Sequence, residues 1–296
     1  MTTTPQKPHE LPARESAVRA LPPGIPHGRP KMPRLGRRRA IILGCQLALL
    51  FGVLAIWELG ASFEPDAVID QFTVSKPSAI WDALVAFEER GVLWSSILVT
   101  YRVTLIGFII GGTLGFLFGL ILGVQRFLAA VLNPFIGALY STPRLALIPL
   151  FILWFGIGDG SKIALVASVT FFLVFYATFA GVKEVDPEII ERMRLMRASR
   201  RNIGQKAILP SATSYIIEGL SVSAPFALVA AVTAEMLSSN RGMGFLLVRS
   251  AGQFNTAGVF ACITVLALMG ILLMGLTRVA EGRLLRWKPG RVNRAK

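Results

Sequence analysis

Residues 183–210 form a polar segment between two long apolar stretches, and the order of their residue types is unusual for a simple connection. Asp186 and Pro187 are typical of a helix start, because the carboxylate can accept backbone N–H groups and proline lacks the N–H that would remain unpaired. Glu188 and Glu191 follow in the first turns and arginines in the later ones, the order that a helix dipole favours. The pattern predicts a short helix within the polar segment.

This predicted helix is amphipathic. Its apolar residues fall on one face at helical spacing, and they are Ile189, Ile190, Met193 and Met196. Such a helix at a membrane surface indicates a docking site for another protein. The alternative is a solvated basic loop that only fixes the orientation of its neighbours, the usual role of such charge.

The elements that must position the polar segment are membrane-spanning helices. Of the 296 residues, 53% are hydrophobic and 16% charged. A bilayer crossing takes roughly 20 apolar residues. Six stretches approach or exceed that length: 40–60, 93–123, 127–156, 163–182, 211–237 and 259–280. The second and third are too long for simple crossings, so we expect them to tilt or kink. The sequence predicts an all-α membrane protein with six transmembrane helices.

Basic residues orient these spans. Of the 31 Lys and Arg residues, 23 lie in three segments, namely before residue 40, in residues 183–206, and from Arg278 onward. The positive-inside rule places these segments in the cytoplasm, in agreement with an even number of spans. Residues 61–92 are rich in acidic residues and then face outward. We therefore expect cytoplasmic N and C termini, and a polar segment within reach of a soluble partner.

The remaining parts of the chain offer no separate folded domain. Residues 1–39 have the composition of a disordered basic cytoplasmic tail, residues 40–287 form one membrane domain, and residues 288–296 form a basic C-terminal tail. The net charge of +14 flanks apolar spans and is not interleaved with aromatic residues, so we expect no nucleic-acid partner.

The sequence also lacks an arrangement of catalytic or metal-binding residues. Both histidines lie in the N-terminal tail and the two cysteines are isolated within spans. Glycines recur every fourth position from Gly107 to Gly123, without the Gly-Lys-Ser/Thr ending of a phosphate loop. This spacing predicts one smooth helix face for close packing against another helix. We expect no enzyme activity, no metal, no cofactor and no ATP hydrolysis by the chain itself.

Four charged residues within the spans must face protein or water, because each would cost a few kcal/mol or more in lipid. They are Arg102, Arg144, Glu218 and Glu235. Each glutamate either lines or gates a solute path, or is interfacial or paired with an arginine. The path is preferred for Glu235 and the interfacial or paired position for Glu218. Arg144 is the candidate contact for an anionic solute, since a guanidinium binds anions through charge-assisted hydrogen bonds.

Three prolines lie inside predicted spans. Pro143, Pro149 and Pro225 each remove a backbone donor and favour a kink. Kinked helices suit a translocation path, for which Pro149 is a candidate. The alternative is that these prolines have no special role, because membrane helices commonly tolerate proline.

At this point the sequence resembles the permease subunits of bacterial ATP-binding-cassette importers. Their cytoplasmic signature is Glu-Ala-Ala, a glycine four residues later, and an Ile-x-Leu-Pro ending. Glu191 takes the Glu position here, Ala198-Ser199-Arg200 the usual Ala-Ser-Arg, and Leu209-Pro210 the closing pair. Further matches resemble the nitrate/sulfonate/taurine branch: Lys76-Pro77-Ser78, the run from Leu147 to Gly158, Ala234-Glu235-Met236-Leu237, Gly242-Met243-Gly244 and Leu284-Leu285-Arg286-Trp287.

Four positions depart from the family pattern. Arg192 and Met193 stand at the two alanines, Arg197 at the glycine, and Ala207 at the isoleucine. The family glycine relaxes a turn, whereas a residue with a Cβ tolerates positive φ poorly. We therefore expect either that the turn at Arg197 closes differently, or that the partner ATPase carries a matching acidic cleft.

The resemblance implies a type I importer permease fold in the bacterial inner membrane, and alternating-access transport of a small, anionic solute such as a sulfonate, taurine or nitrate. It implies as partners cytoplasmic ATPase subunits, an extracytoplasmic solute-binding protein, a second permease copy in a homodimer, and membrane lipids. By the same resemblance, the residues expected to couple the permease to the ATPase are Glu188, Glu191, Arg194, Arg197, Ala198, Ser199, Leu209 and Pro210. Two alternatives remain, a membrane scaffold and a secondary transporter, although we find no internal repeat of the kind secondary transporters have.

Overall fold

The computed structural model describes residues 35–62 and 72–284, and within these ranges the chain is helical and has no β-strand. The chain divides into two compact units, residues 1–52 and residues 53–296, and the described part of the first unit is helical throughout. The helices are α1 (Leu35–Ser62), α2 (Pro77–Glu89), α3 (Val92–Val124), α4 (Arg126–Ser141), α5 (Ile148–Phe155), α6 (Asp159–Lys183), α7 (Pro187–Leu195), α8 (Arg200–Ile203), α9 (Leu209–Ser238), α10 (Met243–Gly252) and α11 (Thr256–Leu284). The all-α prediction is confirmed.

Both predicted tails fall largely outside the described residues. Most of the predicted N-terminal tail, residues 1–34, is not described, and neither is the C-terminal tail, residues 288–296. Helix α1 begins at Leu35, so the last five residues of the predicted N-terminal tail are helical.

Five of the six predicted spans are found in the fold as helices of sufficient length. Five helical stretches are long and apolar enough to cross a membrane: Ile41–Ser62, Val92–Val124, Asp159–Lys183, Arg200–Ser238 and Thr256–Arg283. The remaining predicted span corresponds to α4 and α5, which are bent by 85° at a short break. Counting this pair as one span gives six.

The bend between α4 and α5 lies at Pro143. Thr142 and Pro143 have extended backbone conformations, with ψ of 130° and 103°. For Thr142 the cause is the following proline, which disfavours the helical conformation of the residue before it. Pro149 lies in the first turn of α5, where its missing N–H loses no helical bond. Pro225 lies inside α9, which continues through it.

The glycine face of α3 packs against α6 as predicted. A Cβ added at Gly111 would lie 2.3 Å from the carbonyl oxygen of Ala167, and one at Gly115 would lie 2.5 Å from that of Phe171. At the two ends of the face, Gly107 meets Val166 and Gly123 meets Val182. The residue numbers of the contacting pairs increase in the same direction along both helices, so α3 and α6 run parallel. Only glycine permits backbones to approach this closely.

Helix α9 packs antiparallel on α6, because Gly181 meets Tyr215 and Gly219 meets Ala177. The polar segment therefore joins the end of α6 to the start of α9, and we call this side of the helices the polar-segment end. At the opposite end, the short helix α2 follows Lys76. Its first turn is fixed by Glu58 of α1, which accepts hydrogen bonds from the Ser78 backbone N–H at 2.9 Å and the Ser78 hydroxyl at 2.8 Å.

Candidate functional site

The polar segment folds as two capped helices. The Asp186 carboxylate accepts a hydrogen bond from the Glu188 backbone N–H at 2.9 Å and begins α7. The Ser199 hydroxyl accepts one from the Asn202 N–H at 3.2 Å and begins α8. A short π-helical stretch, Gly204–Ile208, then leads into α9. The predicted helix start at Asp186 is confirmed, and Ser199 is a second helix cap.

Arg197 closes the turn between α7 and α8 in a left-handed conformation, with φ of 55°. Its N–H donates to the carbonyl of Arg194 at 2.9 Å, and the N–H of Ala198 donates to that of Met193 at 3.0 Å. This pair of bonds is the Schellman arrangement that usually has glycine at the position of Arg197. The turn therefore closes in the manner expected of glycine, and the expectation of a different closure is wrong.

The apolar residues of α7 divide between two surroundings. Ile190 and Met193 pack on a buried apolar cluster at the polar-segment end of α6 and α9. Leu195 and Met196 are 84% and 73% exposed. The predicted apolar face is thus only partly exposed. Residues near the middle of α7 pack on the apolar core of the chain, whereas those at its C-terminal end are exposed. We call Leu195 and Met196 the apolar tip.

The other predicted coupling residues surround this tip or support it. Glu188 pairs with Arg192 at 3.0 Å on the exposed side of α7. Glu191, Arg194 and Arg197 are exposed, and no ion pair of theirs occurs in the described ranges. Ala198 is half-buried against the apolar cluster, while Leu209 and Pro210 form the first turn of α9.

A second polar site lies at the opposite end and centres on Glu235 of α9. Its side chain is fully buried, and its carboxylate accepts hydrogen bonds from the Thr100 hydroxyl and from the Gly244 N–H at 2.9 Å. The Thr100 hydroxyl also accepts a bond from the Met243 N–H at 2.9 Å. Glu235 and Thr100 therefore satisfy two orphan N–H groups at the start of α10 and join α3, α9 and α10.

The glycines that flank Met243 are required by this arrangement. A Cβ at Gly242, whose φ is 107°, would lie 2.4 Å from the carboxyl carbon of Glu235. A Cβ at Gly244 would lie 2.4 Å from the carbonyl oxygen of Val232. The Glu235 and Gly242-Met243-Gly244 motifs of the sequence thus form one structural unit.

Next to Glu235 the structure brings Arg102 together with two charged residues that the sequence analysis did not single out, Asp159 and Lys162. Asp159 pairs with Arg102 of α3, and with Lys162 at 3.2 Å. Lys162 is 2% exposed and donates to the Ser239 hydroxyl at 3.0 Å. Asp159, Lys162 and Ser239 border a cavity of about 650 Å³, whose other lining residues are Ile157, Gly158, Leu237, Ser238, Asn240 and Arg241. The expectation that Arg102 avoids lipid agrees with this pairing.

Arg144 occupies a different place, at the break between α4 and α5. Its guanidinium lies 4.7 Å from the ring centre of Tyr140 and 4.8 Å from that of Phe172, and it donates to the Tyr140 carbonyl at 3.2 Å. Arg144 therefore has neighbours different from those of Glu235. In the described part of the chain, no group of three or more His, Cys, Asp or Glu side chains could hold a metal ion.

This architecture has known counterparts. Residues 111–286 match the family of binding-protein-dependent transport system inner membrane components. The chain belongs to this family. The permease is 31% identical over 239 residues to a Bacillus subtilis protein named as an aliphatic sulfonates transport permease, covering 80% of this chain and 84% of that protein.

Two other relatives carry different substrate names. The taurine transport system permease protein of Escherichia coli is 30% identical, over 83% of this chain and 91% of that protein. The formylaminopyrimidine transport permease protein of Halalkalibacterium halodurans is 28% identical, over 80% and 92%.

Solved structures show the fold. An amino acid ABC transporter chain matches with a TM-score of 0.57 at 17% identity, covering 68% of this chain and 98% of that chain. A chain of the MetNI methionine ABC transporter matches with a TM-score of 0.52 at 18% identity, covering 71% and 98%. The permease thus has the type I ABC importer permease fold. It is a multi-pass inner-membrane subunit of an ABC transporter and is not itself catalytic, as the resemblance implies.

Proposed function

We propose that two copies of this permease form the translocation path of an importer for a small anionic solute. A solute-binding protein delivers the solute from outside, and separate cytoplasmic ATPase subunits dock on the polar segment. The concentration of basic residues in and beside this segment supports a cytoplasmic position for it and for both termini.

The observation that carries the ATPase-docking proposal is the apolar tip at the end of α7. Leu195 and Met196 project from a capped helix, with the exposed cations Arg194 and Arg197 beside them. An apolar anchor with a charged rim is the usual anatomy of a protein interface. A solvated loop that only fixed topology would have no reason to present two large apolar side chains.

The internal side of α7 supports coupling to the spans. Ile190 and Met193 pack with Ile203 of α8, Ile208 of the π-helical stretch and Val182 at the end of α6. A displacement of the apolar tip is therefore transmitted through packed side chains to α6 and α9. The tight packing of protein interiors makes such transmission direct.

An exposed face of α9 supports the second copy. Glu218 is exposed within this span, on the same face as Val222, Phe226 and Val229. A carboxylate in lipid is costly, so this face is suited to a water-filled path or to contact with the partner copy.

The anionic solute is supported by the relatives named for sulfonates and taurine, although one relative is named for a formylaminopyrimidine. Arg144 and Pro149 remain candidates for the path. For Glu235 we propose an indirect role, because its carboxylate is fully buried and already bonded to Thr100 and Gly244. It positions the start of α10 beside the path.

The test is uptake in proteoliposomes that contain the permease with its ATPase and binding protein. The proposal predicts ATP-dependent uptake of a sulfonate that Met196→Glu abolishes without loss of the permease from the membrane. A matched control is Gln205→Glu, which adds the same charge at an exposed position of the polar segment away from the tip. Uptake without ATP would favour the secondary transporter, and no uptake with retained ATPase binding would favour the scaffold.

A further inference from the structure

The cavity of about 650 Å³ beside Glu235 lies between the start of α6 and the loop that joins α9 to α10. This is the end of the membrane domain opposite the polar segment, which the proposed function places outside the cell. The charged residues of its lining are Asp159, Lys162 and Arg241. We call it the outer cavity.

Lys162 is a buried cation with room for one more partner. Its side chain is 2% exposed, and its ammonium lies 3.2 Å from the Asp159 carboxylate and 3.0 Å from the Ser239 hydroxyl. An ammonium has three N–H donors, so the described residues leave one of them for a ligand. A buried charge of this kind is stabilised by a further hydrogen-bond acceptor, and best by an anionic one.

The carboxylates near Lys162 are already engaged. Asp159 pairs with Arg102 as well as with Lys162, and Glu235 is bonded to the start of α10 and does not line the cavity. Three cations therefore stand against two carboxylates. The third cation, Arg241, is exposed and makes no ion pair within the ranges that the structure describes. The balance of charge favours an anionic ligand.

The backbone around the outer cavity is fixed by the same lysine. The Ser239 hydroxyl accepts hydrogen bonds from Lys162 and from the Arg241 N–H at 3.3 Å, and it donates to the Arg241 carbonyl at 2.5 Å. Lys162 thus holds the loop that carries Arg241. Helix α6 begins beside it, and its N-cap residue Gly158 has no side chain to accept the first N–H groups. The helix dipole therefore adds positive potential at the cavity.

The outer cavity also has an apolar part. Ile157 and Leu237 belong to its lining and are 83% and 66% exposed. Its volume is within the range of roughly 300–1,000 Å³ that small-molecule sites have. Cations beside exposed apolar side chains match the two halves of a small organic anion.

We propose that the outer cavity binds the anionic head of an organic sulfonate, with its oxygens on Lys162 and Arg241 and its carbon chain against Ile157 and Leu237. The inference rests on the proposed function and assigns an entry site to the solute that the binding protein releases. A free sulfonate is preferred to an acidic side chain of the binding protein because Lys162 is buried, whereas the charged residues of a protein interface lie at its exposed rim.

The experiment is isothermal titration calorimetry of the purified full-length permease, without ATPase or binding protein. The ligands are pentanesulfonate, the oppositely charged pentylammonium, and methanesulfonate. We expect pentanesulfonate to bind, methanesulfonate to bind more weakly, and pentylammonium not to bind. Arg241→Gln should weaken pentanesulfonate binding about fivefold, equivalent to roughly 1 kcal/mol, and Lys162→Met should weaken it further. The matched control is Arg249→Gln, which removes an exposed cation of α10 outside the cavity lining and should bind like wild type.

A third variant tests the apolar part. Leu237→Ser keeps both cations, so pentanesulfonate should then bind no better than methanesulfonate. Equal binding of pentanesulfonate and pentylammonium by wild type, or unchanged pentanesulfonate binding in Arg241→Gln, would overturn the proposal. Both results are obtained even if Lys162→Met misfolds. Unchanged sulfonate binding in Arg241→Gln together with weaker attachment of the binding protein would instead assign the cavity to an acidic side chain of that protein.

The outer cavity and the proposed function can fail separately. ATP-dependent sulfonate uptake by the complete transporter, with no sulfonate binding by the permease alone, would refute the site and leave the function standing. Charge-selective binding that Arg241→Gln weakens, with no uptake of any sulfonate, would support the site and refute the function.

Discussion

Replacing Arg197 by glycine is expected to stabilise the permease while it weakens ATPase docking. Arg197 has φ of 55° and closes the Schellman turn after α7. A residue with a Cβ pays roughly 1–2 kcal/mol in this conformation, whereas glycine adopts it freely. Glycine also gives the unfolded chain more conformational freedom, and this stabilisation of the unfolded state offsets part of the gain. The net stabilisation expected for Arg197→Gly is therefore about 1 kcal/mol.

The same substitution removes an exposed cation beside the apolar tip. If the partner ATPase carries an acidic cleft at this position, loss of one charge should weaken the complex about two- to fivefold, the effect of roughly 0.5–1 kcal/mol. Added salt should weaken the wild-type complex and have less effect on the variant. Arg197 would then keep a strained backbone conformation for the sake of a contact with its partner.

Two controls divide these effects. Arg197→Asn also removes the charge but tolerates the left-handed conformation better than arginine, and Arg197→Lys keeps both the charge and the strain. Thermal unfolding of the purified permease measures the first effect, and surface-immobilised binding of the ATPase measures the second. If glycine leaves both unfolding and salt-dependent binding unchanged, the turn stores no strain and Arg197 makes no contact with the partner.

Three further outcomes are expected from the same structure. Glu235→Ala should destabilise the permease by about 2 kcal/mol or more in thermal unfolding, because it leaves the N–H of Gly244 unpaired in a buried place, whereas the exposed Glu218→Ala on the same helix should have little effect; equal effects would contradict the capping role. Gly115→Ala should reduce the folded yield, since its Cβ would lie 2.5 Å from the Phe171 carbonyl oxygen, whereas Gly137→Ala, whose Cβ meets nothing, should be neutral or stabilising. A reporter enzyme fused after residue 186 should be active inside the cell and one fused after residue 241 outside, and the reverse result would exclude a cytoplasmic ATPase at the polar segment.

Much of the fold follows from local sequence patterns. Apolar length places the spans, Pro143 sets the break in the third one, and the four-residue glycine period predicts the α3 face that packs on α6. The helix start at Asp186 follows from capping chemistry that involves only neighbouring residues.

The parts that sequence reasoning missed depend on distant contacts. Lys162 stands just before the predicted start of the fourth span at residue 163. The structure includes it because Asp159 and Ser239, the latter 77 residues away, satisfy its ammonium within the protein. The short distance between Asp159 and Lys162 in the sequence was the only available signal, and it did not reveal burial.

The predictions of a different turn at Arg197 and of a single apolar face on α7 were wrong for related reasons. Residue preferences argue against arginine at positive φ, yet the two hydrogen bonds that follow α7 hold the backbone there. Helical periodicity groups Ile189, Ile190, Met193 and Met196 on one face but does not say how much of that face the chain covers with its own core.

The parallel contact between α3 and α6 limits where the permease can change shape. From Gly107 to Gly119 a backbone carbonyl of α6 lies close against α3 at every turn, over about 18 Å at 1.5 Å per residue. Sliding α6 along α3 would drive Val166, Ala167 or Phe171 into the backbone of α3, so the two helices behave as one rigid body. Any alternation between inward and outward access must therefore move α3 and α6 together. Conformational change is then confined to the bent junction at Pro143 and to the surfaces at which α3 and α6 contact other parts of the transporter.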